Sequence, residues 1–309
     1  MAMMRQNQQN SAQWSGVLLL DKPENISSNK ALGKVKSLME IRKAGHTGSL
    51  DPIATGLLPV CFGESTKIAG FFLDAAKRYQ TRIKLGESTN TGDREGVVTS
   101  RAAVDVSDRE IQKVLKQFEG DISQVPPMHS AVKVNGEPLY KYARKGIEVE
   151  RKARQVTVYE IALLKRADAY IDIDLRSSSG FYVRVLAHEL GEKLGCGAHV
   201  DSLKRLSVGH LQLDDAYTVE QIEALPTVEE RRRLLVPSDE TLIDLPKISL
   251  SLDAAYYLCQ GHAVRAQDLP MQGMVRLYDN CEDFLGIGTS LGDGRVAPKR
   301  MFLRDKSAA

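Results

Sequence analysis

The sequence predicts an α+β protein, and three observations carry that reading. Segments with two-residue apolar alternation and segments with helical apolar spacing both occur, and no regular strand–helix–strand repeat orders them. The chain has 309 residues, which suits one large domain plus a small one. Pro226, Pro237 and Pro246 fall close together ahead of a glycine-rich end, which places a boundary near Pro246.

Gly16 to Leu20 (GVLLL) reads as a short buried strand, ended by the turn signal Asp21-Lys22-Pro23. A helix of mixed charge is expected near Asn29 to Met39. Residues 44–56 (AGHTGSLDPIATG) read as a long polar loop, the kind of segment that carries function. Ser65 is expected to cap the next helix, whose apolar face is Ile68, Phe71, Phe72 and Ala75. From Tyr79 the period falls to two: Tyr79, Thr81, Ile83 and Leu85 alternate with Arg78, Gln80, Arg82 and Lys84, a half-buried strand. Ser107 to Glu110 is a capping box opening a helix with Ile111, Val114, Leu115 and Phe118 on one face and Gly120 as its stop.

Val156 to Leu164 and Tyr170 to Arg176 read as a strand hairpin. A helix follows, with Val183, Leu186, Ala187, Leu190 and Leu194 at helical spacing and Gly195 at its end. Tyr182 and Arg184 are expected in its first turn, Arg184 off the apolar face. The last 60 or so residues, with Gly261, Gly273, Gly286, Gly288, Gly292 and Gly294, read as a small β-rich module.

Composition narrows the function classes. Lys and Arg number 42 against 40 Asp and Glu, so global charge argues neither for nor against a nucleic-acid partner, and any basic surface must be local. One such cluster exists: Lys141, Arg144, Lys145, Arg151, Lys152 and Arg154 crowd a short span interleaved with Tyr140 and Tyr142. A solvated charged face is the alternative for that run. The four cysteines, Cys61, Cys196, Cys259 and Cys281, are far apart and show no metal-ligand spacing, so neither a zinc site nor a disulfide framework is expected. No apolar run reaches the ~18 residues that spanning a bilayer needs. The polar start MAMMRQNQQNSAQW is expected to be a disordered tail over residues 1–14 of a cytoplasmic protein, not a signal peptide.

Asp51 is the leading candidate for chemistry. Proline at 52 disfavours a helical Asp51, so the aspartate is held extended and its side chain can face a cleft. A plain turn before Pro52 is the other reading. His46 could be a general base, a satisfied polar group or a wedge into nucleic acid. Tyr79 could be an ordinary strand tyrosine, and Arg184 a solvated surface arginine.

Together these segments resemble the TruB family of tRNA pseudouridine synthases. The resemblance rests on GHTGSLDPIATGLLPVCFGESTK (Gly45 to Lys67), KRYQTRIKLGESTNTGDREG (Lys77 to Gly96), QVPPMHSAVKVNGEPLYKYARKG (Gln124 to Gly146), SSGFYVRVLAHELGEKLGCGAHVDSLKR (Ser178 to Arg205) and the opening GVLLLDKPENISSN. These blocks cover most of the chain in order. Ser49 stands where many relatives have threonine, which keeps a hydroxyl, and Ser178 to Phe181 varies a position often threonine or lysine. The stretch from YYLCQGHAV to GDGRVAPKRMF is similar, more loosely, to a PUA-type RNA-binding module.

The resemblance implies a large mixed, mostly antiparallel sheet with a cleft across its middle. It implies a catalytic domain over residues 15–246 with an RNA-binding insertion at 124–154, and a PUA-like domain over 247–309. The implied activity is conversion of uridine to pseudouridine at position 55 in the T-loop of tRNA, without cofactor or metal. Asp51 would be the catalytic carboxylate, Arg184 its cationic partner, and Tyr79 the wall that stacks on the base and assists the proton leaving C5. His46 would fill the gap left by the flipped nucleotide. Tyr182 and Leu203 would line the pocket and Lys22 support it, a packing role being as open for Lys22 and Tyr182. Lys141, Arg144, Lys145, Arg151, Lys152 and Arg154 would hold the RNA backbone. The stand-alone bacterial members imply a monomer that needs the tRNA T-arm but no protein partner. The sequence leaves three routes open: attack at C1′, addition at C6, and elimination to a glycal. A binding protein without catalysis and a sugar glycosidase are the competing classes. The first is disfavoured by Asp51, Tyr79 and Arg184 together, and the second by the lack of a second acid in a comparable loop.

Overall fold

Both faces of the GVLLL run are buried, which is why it shows no alternation. In this computed structural model, which describes residues 14–302, Leu18 and Leu20 enter one core while Val17 and Leu19 enter another. In chain order the strands up to residue 218 are β1 (Gly16–Lys22), β2 (Ala44–His46), β3 (Ala54–Phe62), β4 (Lys77–Leu85), β5 (Glu87–Thr89), β6 (Val98–Arg101), β7 (Gly120–Gln124), β8 (Lys133–Val134), β9 (Glu137–Pro138), β10 (Arg154–Ala167), β11 (Tyr170–Ser177), β12 (Ala198–Val208), β13 (Leu211–Gln212) and β14 (Tyr217–Thr218).

Ten of them form one sheet in the order β14-β1-β3-β12-β4-β11-β10-β7, with β2 beside β3 and β13 beside β12. Only β1–β14 and β3–β12 pair in parallel; every other neighbour is antiparallel. The fold is thus the expected mixed, mostly antiparallel α+β arrangement. On one face, the helices Ser28–Met39, Asp108–Lys116 and Val183–Leu194 cover a continuous core that takes Ala31, Val35, Ile111, Leu115, Leu186 and Leu190. Each buried aliphatic side chain of this kind contributes roughly 1.5–3 kcal/mol. On β4 the alternation is as read from the sequence: Thr81, Ile83 and Leu85 are buried, while Arg78, Gln80 and Arg82 stay on the open face. There Arg78 and Arg82 pair across the strands with Asp174 and Asp172.

The remaining strands, β15 (Lys247–Ser249), β16 (Val264–Arg265), β17 (Gly273–Tyr278), β18 (Phe284–Ser290) and β19 (Arg295–Met301), form a separate curled, PUA-like five-stranded sheet. It has its own core around Leu258, Val275, Leu277 and Leu285. It also docks on the larger sheet, because Ile287 joins Leu57, Phe72, Val208 and Leu242 in a shared cluster.

Several local expectations change. Ser65 caps nothing: the segment enters a 3-10 turn, Gly63–Ile68, and only a short α-helix, Ala69–Asp74, follows. The Ser65 hydroxyl is buried against that of Ser238 at 2.5 Å, so a tertiary contact took the cap. Gly120 does not stop the helix, which ends at Lys116, but starts β7. The polar 44–56 stretch is loop only in its middle, because both ends pair into the sheet. Tyr182 is the residue before the first turn of its helix, not within it. Of the expected N-terminal tail, residues 1–13 lie outside the described residues. Trp14 packs its ring under Arg232, 5.2 Å away.

Candidate active site

The site forms where β12, paired along its length with β4, also takes β3 as a neighbour. Leu203 pairs with Ala54 of β3 on one side and Thr81 of β4 on the other. Over this junction lies a cleft of about 740 Å3 lined by His46, Asp51, Tyr79, Tyr182, Arg184 and Leu203, among others. Six of the residues singled out from sequence, spread over 158 positions, therefore face one space.

The Asp51 loop is held from beneath. The Ser28 hydroxyl accepts from the Leu50 N–H at 2.7 Å and donates to its carbonyl at 3.0 Å. The Thr47 hydroxyl donates to the Pro59 carbonyl at 3.2 Å. The Ala54 N–H closes the turn on the Asp51 carbonyl at 3.0 Å. Lys22 lies behind the loop and not on the cleft wall. It is fully buried, and its ammonium donates to the carbonyls of Pro23 and Ile26, both at 2.8 Å. Burial pushes Lys22 down to about 8, partly offset by the Asp51 carboxylate.

Arg184 carries the electrostatics. Its Nε lies 3.1 Å from Asp51 Oδ2, and its Nη1 lies 3.6 Å from Asp93 Oδ2. Nη1 also donates to the Thr91 carbonyl at 3.2 Å, and Nη2 to the His129 carbonyl at 2.7 Å. One guanidinium thus bridges two carboxylates and anchors two loops, with directional donors that an ammonium lacks. Asp93 is itself buried and accepts from the Thr91 hydroxyl at 2.6 Å and the Glu95 N–H at 3.2 Å.

The Asp51 side chain keeps 40% of its surface accessible because it faces the open cleft. Protein crowds its other sides, and this burial raises its pKa. Arg184 opposes the rise, Asp93 adds to it, and Lys22 opposes it again. His46 ends β2 on the same wall, and burial together with the nearby Arg205 charge holds its imidazole below the usual range, hence neutral.

Sequence reading missed three supports. Gln124 is buried and clamps the helix start: its Oε1 accepts from the Tyr182 N–H at 3.0 Å and its Nε2 donates to the Tyr182 carbonyl at 3.4 Å, which aims Arg184. Asp93 lies in the polar turn region after β4, where nothing separates it from the other acids. Arg205 sits at an ordinary strand position, next to the exposed Lys204.

The basic cluster divides. Lys141 and Arg144 lie on the Leu139–Arg144 helix, Lys145 follows, and Lys152 and Arg154 are exposed on the return to β10. Arg144 packs over Tyr140 at 5.4 Å, and both reach the cleft wall. Lys141 lies 3.5 Å from Glu137. Arg151 turns inward, donating to the Pro126 carbonyl at 3.2 Å and pairing with Glu148, so it ties the two ends of the insertion together.

Comparison with known proteins accords with this geometry. Residues 36–183 match the model of the TruB family pseudouridylate synthase N-terminal domain. Residues 184–243 match the tRNA pseudouridylate synthase B C-terminal domain, and 246–302 the pseudouridine synthase II TruB C-terminal model. The tRNA pseudouridine synthase B of Nitrosococcus oceani is 49% identical over 289 residues, 93% of this chain and 94% of the relative. That of Yersinia pestis (strain Pestoides F) is 44% identical over 297 residues, 93% of this chain and 92% of the relative. Among solved structures, a chain of a Cbf5-Nop10-Gar1 complex shares the fold with a TM-score of 0.73 at 24% identity, covering 96% of this chain and 87% of that one. A chain of an H/ACA RNP bound to a substrate RNA containing 2'-deoxyuridine gives 0.71 at 20% identity, covering 98% and 88%. On the identity and span of these relatives, the chain belongs to the TruB family of pseudouridylate synthases.

Proposed function

We propose that this protein isomerises uridine to pseudouridine in tRNA, at position 55 of the T-loop, with Asp51 as the catalytic carboxylate. The observation that carries the reading is the Asp51–Arg184 pair at 3.1 Å, set beside Tyr79 in a cleft large enough for a nucleoside. The reaction breaks N1–C1′ and forms C5–C1′; C5 loses a proton and N1 gains one, so no redox partner is called for. A carboxylate suits a sugar carbon with oxocarbenium character, either as nucleophile or as stabilising charge.

A stacked uridine must first be flipped out, at a cost of a few kcal/mol. Stacking against Tyr79 returns roughly 1–3 kcal/mol of it. Leu203 and Tyr182 line the same cleft and supply further apolar wall. The neutral His46, at the cleft edge, suits a wedge that takes the vacated place in the stack. Lys141, Arg144, Lys145, Lys152 and Arg154 supply phosphate contacts, Arg144 from the cleft wall itself.

We read residues 15–246 as the catalytic unit, 124–154 as its RNA-clamping insertion, and 247–309 as a PUA-like RNA-binding unit. The protein is expected to act as a cytoplasmic monomer on the tRNA T-arm, without an obligatory protein partner. No helix among the described residues is long and apolar enough to cross a membrane. The deciding experiment incubates the protein with unmodified tRNA transcript, without cofactors, and maps pseudouridine by position. A product at position 55 is expected; modification elsewhere, or none, overturns the reading.

A further inference from the structure

We propose that Arg205 is a positioning residue for Tyr79: it fixes the direction of the tyrosine hydroxyl and ties that tyrosine to the loop bearing Asp51. The proposal rests on the isomerase reading above and adds to it a residue that does not need to touch the substrate.

Arg205 is the largest fully buried side chain among the described residues, 2% exposed, at the floor of the catalytic cleft. Burying a guanidinium is expensive unless its donors are matched and its charge is answered. No carboxylate among the described residues forms an ion pair with it. Its Nε donates to the Leu57 carbonyl at 2.7 Å and its Nη2 to the Gly48 carbonyl at 3.2 Å. The remaining polar group that acts on the same guanidinium is the Tyr79 hydroxyl, brought beside it by the ladder. A core selected for stability alone would place an aliphatic side chain here, since such a replacement is often neutral or stabilising.

The strand register makes the contact unavoidable. Arg205 of β12 and Tyr79 of β4 are direct partners in the antiparallel ladder, so their side chains leave the sheet on the same face. On its other edge Arg205 faces Gly56 of β3. Gly56 has a φ of +97°, and a Cβ there would lie 2.3 Å from the Arg205 carbonyl oxygen. Only glycine lets β3 and β12 close over this residue. Gly48, whose carbonyl Arg205 holds, lies between His46 and Asp51 and adopts a φ of +107°.

Donor chemistry then sets a direction. A guanidinium can only donate, whereas a phenol oxygen donates one hydrogen and accepts at its lone pairs. Against Arg205 the Tyr79 oxygen must accept. Its hydrogen and its remaining lone pair are therefore turned towards the cleft, where the C5 proton of a bound uracil has to be handled. Because the same guanidinium grips Gly48, the tyrosine wall and the Asp51 loop form one mechanical unit.

The test is a double-mutant cycle on full-length protein, reading kcat and KM with unmodified tRNA transcript and checking each variant by thermal melting. Tyr79→Phe keeps the ring and removes the hydroxyl, and should lower kcat by about 100-fold. Arg205→Gln should lower kcat to a similar extent, about 100-fold, with KM within about threefold. In the Tyr79→Phe background, Arg205→Gln should cost less than about threefold more, because the hydroxyl it acts on is already gone. Independent losses that multiply in the double variant, or a loss confined to KM, overturn the proposal. Should Arg205→Gln not fold, Arg205→Lys, which keeps a cation in the core, runs the same cycle with the same two outcomes. A wild-type protein that makes no pseudouridine overturns the isomerase reading and this proposal with it; an active wild type with multiplying losses overturns this proposal alone.

Discussion

The two cationic regions of the molecule use the same residue types in opposite ways. At the cleft and behind its loop, Arg184 and Lys22 are buried, and the donors described above are all aimed at named carbonyls or carboxylates. In the insertion, Arg144, Lys145, Lys152 and Arg154 stand in solvent, and Lys141 has only a long contact to Glu137. Buried charges act at short range in a low dielectric, and their direction is set before substrate arrives. Exposed charges are screened over about 8–10 Å at ordinary salt and can trade one phosphate for another. The contrast separates the parts: chemistry is a matter of fixed geometry near Asp51, and affinity a matter of number and sign of charge over 124–154.

Four measurements can break or sharpen that division. The largest effect is expected for Asp51→Asn, which should abolish product while tRNA affinity stays within about tenfold. Turnover near the wild-type rate would remove Asp51 from the chemistry.

Next comes Arg184→Met. Burial already raises the Asp51 carboxyl, and Arg184 is the first group opposing that rise. The reactive form is the ionised one, so kcat/KM should climb as pH rises through that pKa. Without the guanidinium the carboxyl is raised further, and the acid limb should move to higher pH alongside a loss of about 100-fold or more at neutral pH. A limb that stays put would mean that Arg184 positions other groups without tuning Asp51.

A smaller effect is expected from neutralising Lys141, Arg144 and Lys145 together. Binding should weaken, and the slope of log K against log salt should flatten by about 2–3 units, with kcat nearly unchanged. An unaltered slope would take this segment out of the interface.

The smallest change is expected from Arg151→Gln. Its guanidinium holds the Pro126 carbonyl and Glu148 instead of facing solvent. The salt slope should stay within about half a unit while protease cutting of the 124–154 segment speeds up. A full unit lost from the slope would return Arg151 to the phosphate-binding set.

Much of this organisation was legible from local pattern. The alternation over Tyr79 to Leu85 located β4 and its buried face, since a strand with one wet side must alternate. The capping box at Ser107 and Glu110 located the start of its helix. Ser65 shows where such logic stops. A serine ahead of an apolar face has the chemistry of a cap, but a hydroxyl on Ser238, 173 positions away, offered a buried partner and took it.

The site follows the same division. Asp51-Pro52 on a polar loop, and the period that put Arg184 off the apolar stripe, are properties of neighbouring residues, and so they can be read along the chain. That Arg184 reaches Asp51 and Asp93 at once, that Arg151 turns inward while Arg144 does not, and that Arg205 lies under Tyr79 depend on which strands become neighbours. Those pairings reach from some tens of residues, as β7 with β10, to more than a hundred, as β12 does with β3 and β4. Short-range preferences are set by the backbone and a few adjacent side chains, whereas the partner of a buried charge is chosen by whatever the folded sheet brings within hydrogen-bond reach.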